Sequence, residues 1–122
     1  MEHNMKKSNL LCAMFIGSLF ASSALANSIS NAKITQMITT DEDYAGCMIK
    51  LDKKISVVSS SCPSNWLTFS CNGDLGNSVQ QASMMWEQAQ MAYVLNKTVR
   101  VKVDSSKKAN GYCYASYIRV QD

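Results

Sequence analysis

Few side chains in this sequence could act as a catalytic base. Its 122 residues include one histidine, His3, whereas Ser-His-Asp and Cys-His nucleophiles both need a histidine base. The acidic cluster Asp41-Glu42-Asp43 has the composition of a solvated turn. No G-x-G-x-x-G or P-loop spacing occurs. We therefore predict a protein that is not an enzyme and that uses no cofactor.

The cysteines form the second group of residues with chemistry of their own. The chain has five, of which Cys12 lies in an apolar run near the start. The other four are spread along the rest of the sequence: Cys47, Cys62, Cys71 and Cys113. The C-x-x-C spacing that would indicate a zinc site is absent. An even set in a short exported chain predicts disulfides, and four cysteines allow three pairings.

Tyrosines and lysines cluster near the carboxyl end. Sugars are held by aromatic faces together with a few placed polar groups, and lysines would favour an anionic sugar. The residues that we predict as glycan contacts on this ground are Lys107, Asn110, Tyr112 and Tyr114. The alternative is that the tyrosines pack on a barrel surface beside a solvated basic loop.

The first 26 residues have the pattern of a secretory signal peptide. Lys6 and Lys7 precede an apolar run over residues 10–20, and Ala24-Leu25-Ala26 ends the segment before Asn27. The apolar run is shorter than the roughly 20 residues that a membrane span requires. We predict cleavage after residue 26, with export to the periplasm or the medium. The domain left, residues 27–122, contains no histidine and is too mildly basic for a nucleic-acid binder.

In the first half of the domain, the sequence predicts mainly strands. Runs of β-branched residues between turn signals predict strands over residues 32–40, 44–52 and 66–71, with a short extra strand over 55–58. The acidic cluster at 41–43 and Asn72-Gly73-Asp74 are predicted turns.

The pattern then changes to helical periodicity over residues 77–95. The apolar residues that recur at intervals of three and four are Val79, Ala82, Trp86, Ala89 and Tyr93. Asn77 and Gln80 have the spacing of a capping box. The opposite face carries three exposed apolar residues, Met84, Met91 and Val94, which can mark a subunit contact. Trp66 and Trp86 are predicted to lie in the core.

The end of the chain again predicts strands, over residues 99–103 and 112–121, with a polar loop over 105–111. The last strand alternates so that Tyr114 and Ile118 share one face and Ala115 the other. Three strands, a helix and two strands follow the order of the OB-fold, a five-stranded Greek-key barrel. We predict this fold: mainly β, with one helix.

Four stretches resemble the B subunits of bacterial one-A-five-B toxins, in the subtilase-cytotoxin and pertussis-like group. Their order and spacing carry the resemblance, which covers most of residues 27–122. The stretches are Ile34-Thr35-Gln36, Cys47-Met48-Ile49-Lys50, Ser70-Cys71, and Glu87-Gln88-Ala89 running on to Asn96-Lys97-Thr98-Val99-Arg100-Val101. The chain also resembles a broad group of small exported bacterial proteins of unassigned role.

The two resemblances imply disulfides Cys47–Cys71 and Cys62–Cys113, the runner-up being Cys47–Cys62 with Cys71–Cys113. The toxin resemblance also implies a homopentamer that binds sialylated or related host-cell glycans and delivers a separate A subunit. Its glycan-binding serine on the first strand corresponds to Ser30, which would otherwise be a frayed residue after the cleavage site. The alternative function is a stand-alone exported protein with a structural, stress or inhibitory role.

Overall fold

A computed structural model describes residues 27–122. The predicted signal peptide, residues 1–26, and its cleavage site therefore lie at or beyond the edge of the described residues. Within residues 27–122, no helix combines the length and apolar character that crossing a membrane requires.

Five strands close into a barrel around one hydrophobic core. The elements are β1 (Ser28–Thr39), β2 (Cys47–Leu51), β3 (Trp66–Thr68), α1 (Val79–Val94), β4 (Thr98–Ala109) and β5 (Tyr112–Gln121), with 3-10 turns at Glu42–Tyr44 and Ile55–Val57. Around the barrel the order is β1-β2-β3-β5-β4. The β3–β5 contact is parallel, and the other pairs are antiparallel. The predicted mainly-β fold with the OB-fold order is confirmed.

The barrel interior is filled by alternate residues of each strand, as a half-buried sheet requires. Val99, Val101 and Val103 of β4 point inward and are at most 1% exposed. The helix closes one end of the barrel with small residues, since Ala82, Ala89 and Ala92 are at most 1% exposed. Short side chains let the helix axis approach the sheet closely, which fixes where its outer face lies.

The two tryptophans differ in environment. Trp86 packs against the core, with its ring edge-on to Phe69 at a centroid distance of 6.2 Å. Trp66 is not a core residue, which corrects the prediction. It is half-buried on β3, with the Lys50 ammonium 5.9 Å from its ring centroid. Trp66 faces outward because Leu67, its neighbour on β3, points inward and is fully buried.

Both predicted disulfides are present. Cys47 at the start of β2 is bonded to Cys71 after β3, and Cys62 is bonded to Cys113 on β5. The first closes a sequence separation of 24 residues and the second one of 51 residues. Such bonds persist in oxidising compartments, so they fit a protein located outside the reducing cytoplasm.

Most strand boundaries differ from the prediction. β2 and β3 are shorter than predicted, at Cys47–Leu51 and Trp66–Thr68. β1 begins at Ser28 and pairs with β4 there, so Ser30 lies within a strand and is not a frayed terminal residue. Residues 55–57 form a 3-10 turn, not a strand. β4 continues to Ala109, and the predicted polar loop shrinks to Asn110-Gly111.

Asn110-Gly111 is a two-residue hairpin turn in which both residues have positive φ, 48° and 86°. This is the type I′ pattern, for which Asn-Gly is the preferred pair. The extra length of β4 is absorbed by a bulge over residues 105–107, because Asp104 pairs with Tyr114 while Lys108 pairs with Cys113.

A second bulge changes the faces of β5. Lys102 pairs with Tyr117 but Val103 pairs with Ala115, so Ser116 is an extra residue. Ala115 and Ile118 consequently both join the core, and Tyr114 lies on the opposite face from Ile118. The predicted simple alternation along this strand is wrong for that reason.

The helix begins one residue later than the capping-box prediction. The Ser78 hydroxyl, not Asn77, caps the helix by accepting the Gln81 amide at 3.3 Å. The Asn77 side chain instead donates to the Ser70 carbonyl oxygen at 2.9 Å. It thereby ties the segment before the helix to the end of β3.

We expect Ser78→Ala to lower the free energy of unfolding by about 1 kcal/mol, the usual cost of removing an N-cap hydroxyl. Gln80→Ala serves as the control, because Gln80 is exposed and is not the cap partner. Urea denaturation of both variants measures the effect. Equal destabilisation by the two substitutions would contradict the assignment of Ser78 as the cap.

Candidate functional site

Ser30 lines a pocket between the start of β1 and the 3-10 turn at Ile55–Val57. We call it the Ser30 pocket, and its volume is about 320 Å³. Its lining residues are Ser28, Ile29, Ser30, Lys53, Lys54, Val57 and Val58. Val57 is 80% exposed, so the pocket has an apolar wall open to solvent.

Backbone and side-chain hydrogen bonds hold the pocket in shape. The Lys53 ammonium donates to the Ser30 carbonyl oxygen at 2.7 Å. The Asp52 amide donates to the Lys33 carbonyl oxygen, and the Asp52 carboxylate accepts the Lys33 amide at 2.8 Å. The Asp52 carboxylate keeps its negative charge in this hydrogen bond, so Asp52, Lys53 and Lys54 together carry one excess positive charge beside the pocket.

This combination of groups defines what the pocket can bind. Small-molecule sites combine apolar walls with a few polar groups that fix orientation. Here the apolar wall is provided by valine and isoleucine, the cations by Lys53 and Lys54, and the hydroxyls by Ser28 and Ser30. An anionic ligand with one apolar side and several hydroxyl groups matches these features.

The other four predicted contacts, Lys107, Asn110, Tyr112 and Tyr114, lie on the β4–β5 hairpin. Together with Tyr44 from the turn after β1, they form a set that we call the hairpin patch. Tyr112 meets Tyr44 edge-on at 5.7 Å between ring centroids. The Lys107 ammonium lies 5.6 Å from the centroid of the Tyr114 ring. Asn110 occupies the hairpin turn.

The hairpin patch is anchored by the connection between β2 and β3. The Lys108 ammonium donates to the Ser61 carbonyl oxygen at 2.9 Å, and the next cysteine, Cys62, is bonded to Cys113. These two links hold the base of the hairpin, from which Lys107 and Tyr112 project. None of the four predicted hairpin residues lines the Ser30 pocket. The five predicted glycan contacts thus lie in two places.

The Tyr114 phenol of the hairpin patch has an altered acidity. Tyr114 is 8% exposed. This burial raises the pKa of the phenol above its ordinary value, and the nearby Asp104 carboxylate raises that pKa further. Tyr114 therefore stays neutral, with Lys107 over its ring, throughout the physiological range.

A raised pKa of Tyr114 makes stability depend on alkaline pH. Above the ordinary tyrosine pKa of about 10, the unfolded chain loses the Tyr114 proton while the folded chain keeps it. Unfolding therefore becomes more favourable as pH rises through that window. We expect Tyr114→Phe to remove this loss of stability at alkaline pH and Tyr117→Phe to retain it. Absorbance titration of the phenols, combined with urea denaturation at several alkaline pH values, measures both; an unchanged profile in Tyr114→Phe would contradict it.

Exposed apolar side chains form the outer face of α1, which we call the helix face. Met84, Met91 and Val94 are 58%, 51% and 78% exposed, as the sequence predicts. Leu95, just after the helix, extends the face and is 59% exposed. Glu87 and Gln88 lie between Met84 and Met91, so the helix face is apolar with polar side chains among its apolar ones.

The side chains of residues 27–122 that could ligate a metal ion are not grouped together. All four cysteines of residues 27–122 are in disulfides. No group of three or more histidine, cysteine or acidic side chains in this part of the chain could hold a metal ion.

Sequence reasoning missed several residues of these sites. Lys53, Lys54 and Val57 reach Ser30 only because the connection after β2 folds back on β1. Their proximity is a tertiary effect with no local signal. Tyr44 could have been placed better, since it directly follows the acidic turn and such loops flank OB-fold ligand sites.

The fold and its surfaces define the class of molecule: a small, disulfide-linked barrel domain with the OB-fold strand order. No protein-family model, curated protein or solved structure matches the chain.

Proposed function

We propose that the protein is a secreted glycan-binding module, the receptor-recognising B subunit of an AB-type toxin, without catalysis of its own. Its ligand is an anionic glycan, held in the Ser30 pocket. The toxin assignment derives from the sequence resemblance. The pocket supports the glycan-binding part of the proposal independently.

The observation that carries the proposal is the environment of Ser30. The resemblance points to this serine alone, without reference to its neighbours. Around it lie two lysines, a second serine hydroxyl and an apolar wall. A sialylated glycan combines a carboxylate, hydroxyl groups and apolar patches, so each feature of the pocket has a counterpart in the ligand. Hydrogen bonds to charged groups are the strong ones in such sites.

A glycan array on the folded, oxidised protein tests this function, and we expect binding to sialylated oligosaccharides. Lys53→Gln and Lys54→Gln together should weaken affinity by about tenfold or more, because they remove charged hydrogen-bond donors. Ser30→Ala should weaken it less, since a neutral hydroxyl contributes less.

The control for this experiment is Lys50→Gln, which removes a positive charge on β2 outside both predicted sites. Tyr114→Ala with Lys107→Gln is a separate arm that tests the hairpin patch. Loss of glycan binding in that arm alone would move the site to the hairpin. If the protein binds no glycan on the array, the function is wrong and the stand-alone exported protein is the remaining reading.

The same proposal includes a homopentamer in which the helix face is covered. We expect light scattering to give the mass of five chains. Met84→Lys with Met91→Lys should yield monomers, because two desolvated charges in an apolar contact are costly. Val57→Lys is the control, as it places a lysine on an exposed apolar residue away from α1. A wild-type monomer would contradict this part of the proposal.

A further inference from the structure

A group of basic residues lies on the outer face of β4 and β5. Arg100 is paired directly across the strands with Arg119, and Lys102 with Tyr117. These residues point away from the core, because Val99, Val101 and Val103 between them point inward. We call this set, Arg100, Lys102, Tyr117 and Arg119, the arginine face.

Like charges directly opposite each other on neighbouring strands are destabilising. The adjoining pairs on this face do not neutralise them: Ser28 pairs with Lys102, Lys33 with Thr98, and Thr98 with Gln121. The nearest acid along β4, Asp104, accepts hydrogen bonds from the amide and hydroxyl of Ser106. The arginine pair is therefore a local cost that the fold alone does not require.

The arginine face is continuous with the Ser30 pocket. β1 has a bulge between Ile29, which pairs with Val101, and Ala32, which pairs with Val99. The bulge residues Ser30 and Asn31 consequently lie opposite Arg100. Ser28, which lines the pocket, is the cross-strand partner of Lys102. Pocket and arginine face thus form one surface across β1, β4 and β5.

We propose that this surface binds an acidic oligosaccharide that starts in the Ser30 pocket and continues across the arginine face, with a second sulfate or carboxylate held by Arg100 and Arg119. The inference rests on the proposed glycan-binding function and extends it from a single anionic sugar to a chain with several anionic groups. Guanidinium groups match sulfate and carboxylate oxygens with two parallel hydrogen bonds.

The remaining side chains favour a sugar over a nucleic acid. Tyr117 is 42% exposed and gives one aromatic surface on which a sugar ring can pack. Single-stranded nucleic acids are bound on successive aromatic platforms, whereas the arginine face has this one ring. At its edge, the Thr98 hydroxyl and the Gln121 side-chain NH2 are groups that sugar hydroxyls could contact, while Gln121 Oε1 accepts a hydrogen bond from the Asn31 amide.

The test compares Arg119→Glu with wild type in binding a heparin-derived, sulfated hexasaccharide by calorimetry. We expect affinity to fall at least about tenfold and its salt dependence to become shallower. We also expect the melting temperature to rise by about 2–5 °C, because Arg100 gains an opposite charge across the strands. If Arg119 had only a structural role, Arg119→Glu would not raise the melting temperature and at the same time weaken hexasaccharide binding.

The control is Lys50→Glu, the same charge reversal on β2, which should bind the hexasaccharide like wild type. Unchanged hexasaccharide affinity in Arg119→Glu overturns the inference, and so does equal loss in both variants. Equal or tighter binding of a single-stranded oligonucleotide overturns the choice of ligand class.

The two proposals fail in different ways. If the Lys53 and Lys54 variant loses sialylated glycans while Arg119→Glu binds the hexasaccharide normally, the proposed function stands and the extended surface is wrong. If Arg119→Glu loses the hexasaccharide while no sialylated glycan binds wild type, the receptor assignment is wrong and the acidic-chain site stands.

Discussion

The structure depends on closing a five-stranded barrel at the junction with the fewest paired residues, between β3 and β5. β3 is three residues long and meets β5 in a single parallel register pair, Thr68 with Tyr114. Thr68 is fully buried, and its hydroxyl lies within hydrogen-bonding distance of the Tyr44 and Cys47 carbonyl oxygens. It also accepts the Ser70 amide at 2.9 Å. One threonine thus joins β3 to the loop after β1 and to β2, and the two disulfides reinforce the same region.

This closure also decides where the surfaces lie. Thr68 holds the loop after β1, and this loop places Tyr44 in contact with Tyr112. The Cys62–Cys113 bond fixes the start of β5. The helix also lies beside the loop after β1, since Ser83 and Trp86 of α1 line one pocket with Gly46 and Cys71. Alanines on α1 bring the helix close to the sheet, Met85 is buried, and Met84 and Met91 stay exposed. The interior is filled by side chains, as in small barrels generally. Any ligand must therefore bind on the outside of the barrel.

Periodicity in the sequence was sufficient for the main elements, because the helix and the first half of β4, with Val99, Val101 and Val103 inward, each follow one repeat. The bulges were not predictable in this way. Ser116 and residues 105–107 each shift the pairing, and a shift of one residue exchanges the inner and outer faces of a strand. The hairpin turn did have a local signal, Asn110-Gly111, which outweighs the polar composition around it. The disulfide pairing came from resemblance, since spacing alone leaves three pairings.

The candidate sites likewise divide into residues that are close in sequence, which could be predicted, and residues that only the fold brings together, which could not. Tyr112, Tyr114 and Lys107 are close in sequence, so their proximity was visible there. The surface around Ser30 was not visible, because it joins β1, the connection after β2, and the β4–β5 pair. The lysines and arginines near this surface also explain why overall composition was a poor guide to its local charge. A formal net charge of +3 for the whole chain conceals a local excess on β1, β4 and β5 and an acidic loop elsewhere.

An open surface of this kind limits the affinity of a single domain. A shallow pocket keeps much of its ligand in water, so each charged group there acts in a high dielectric and contributes only about 1 kcal/mol. Repetition is the physical remedy: several weak sites on one rigid assembly bind a multivalent surface far more tightly than one site does. The proposed pentamer and the proposed glycan site therefore depend on each other. The exposed helix face, which is an aggregation liability on a monomer, would be the contact that provides this multivalency.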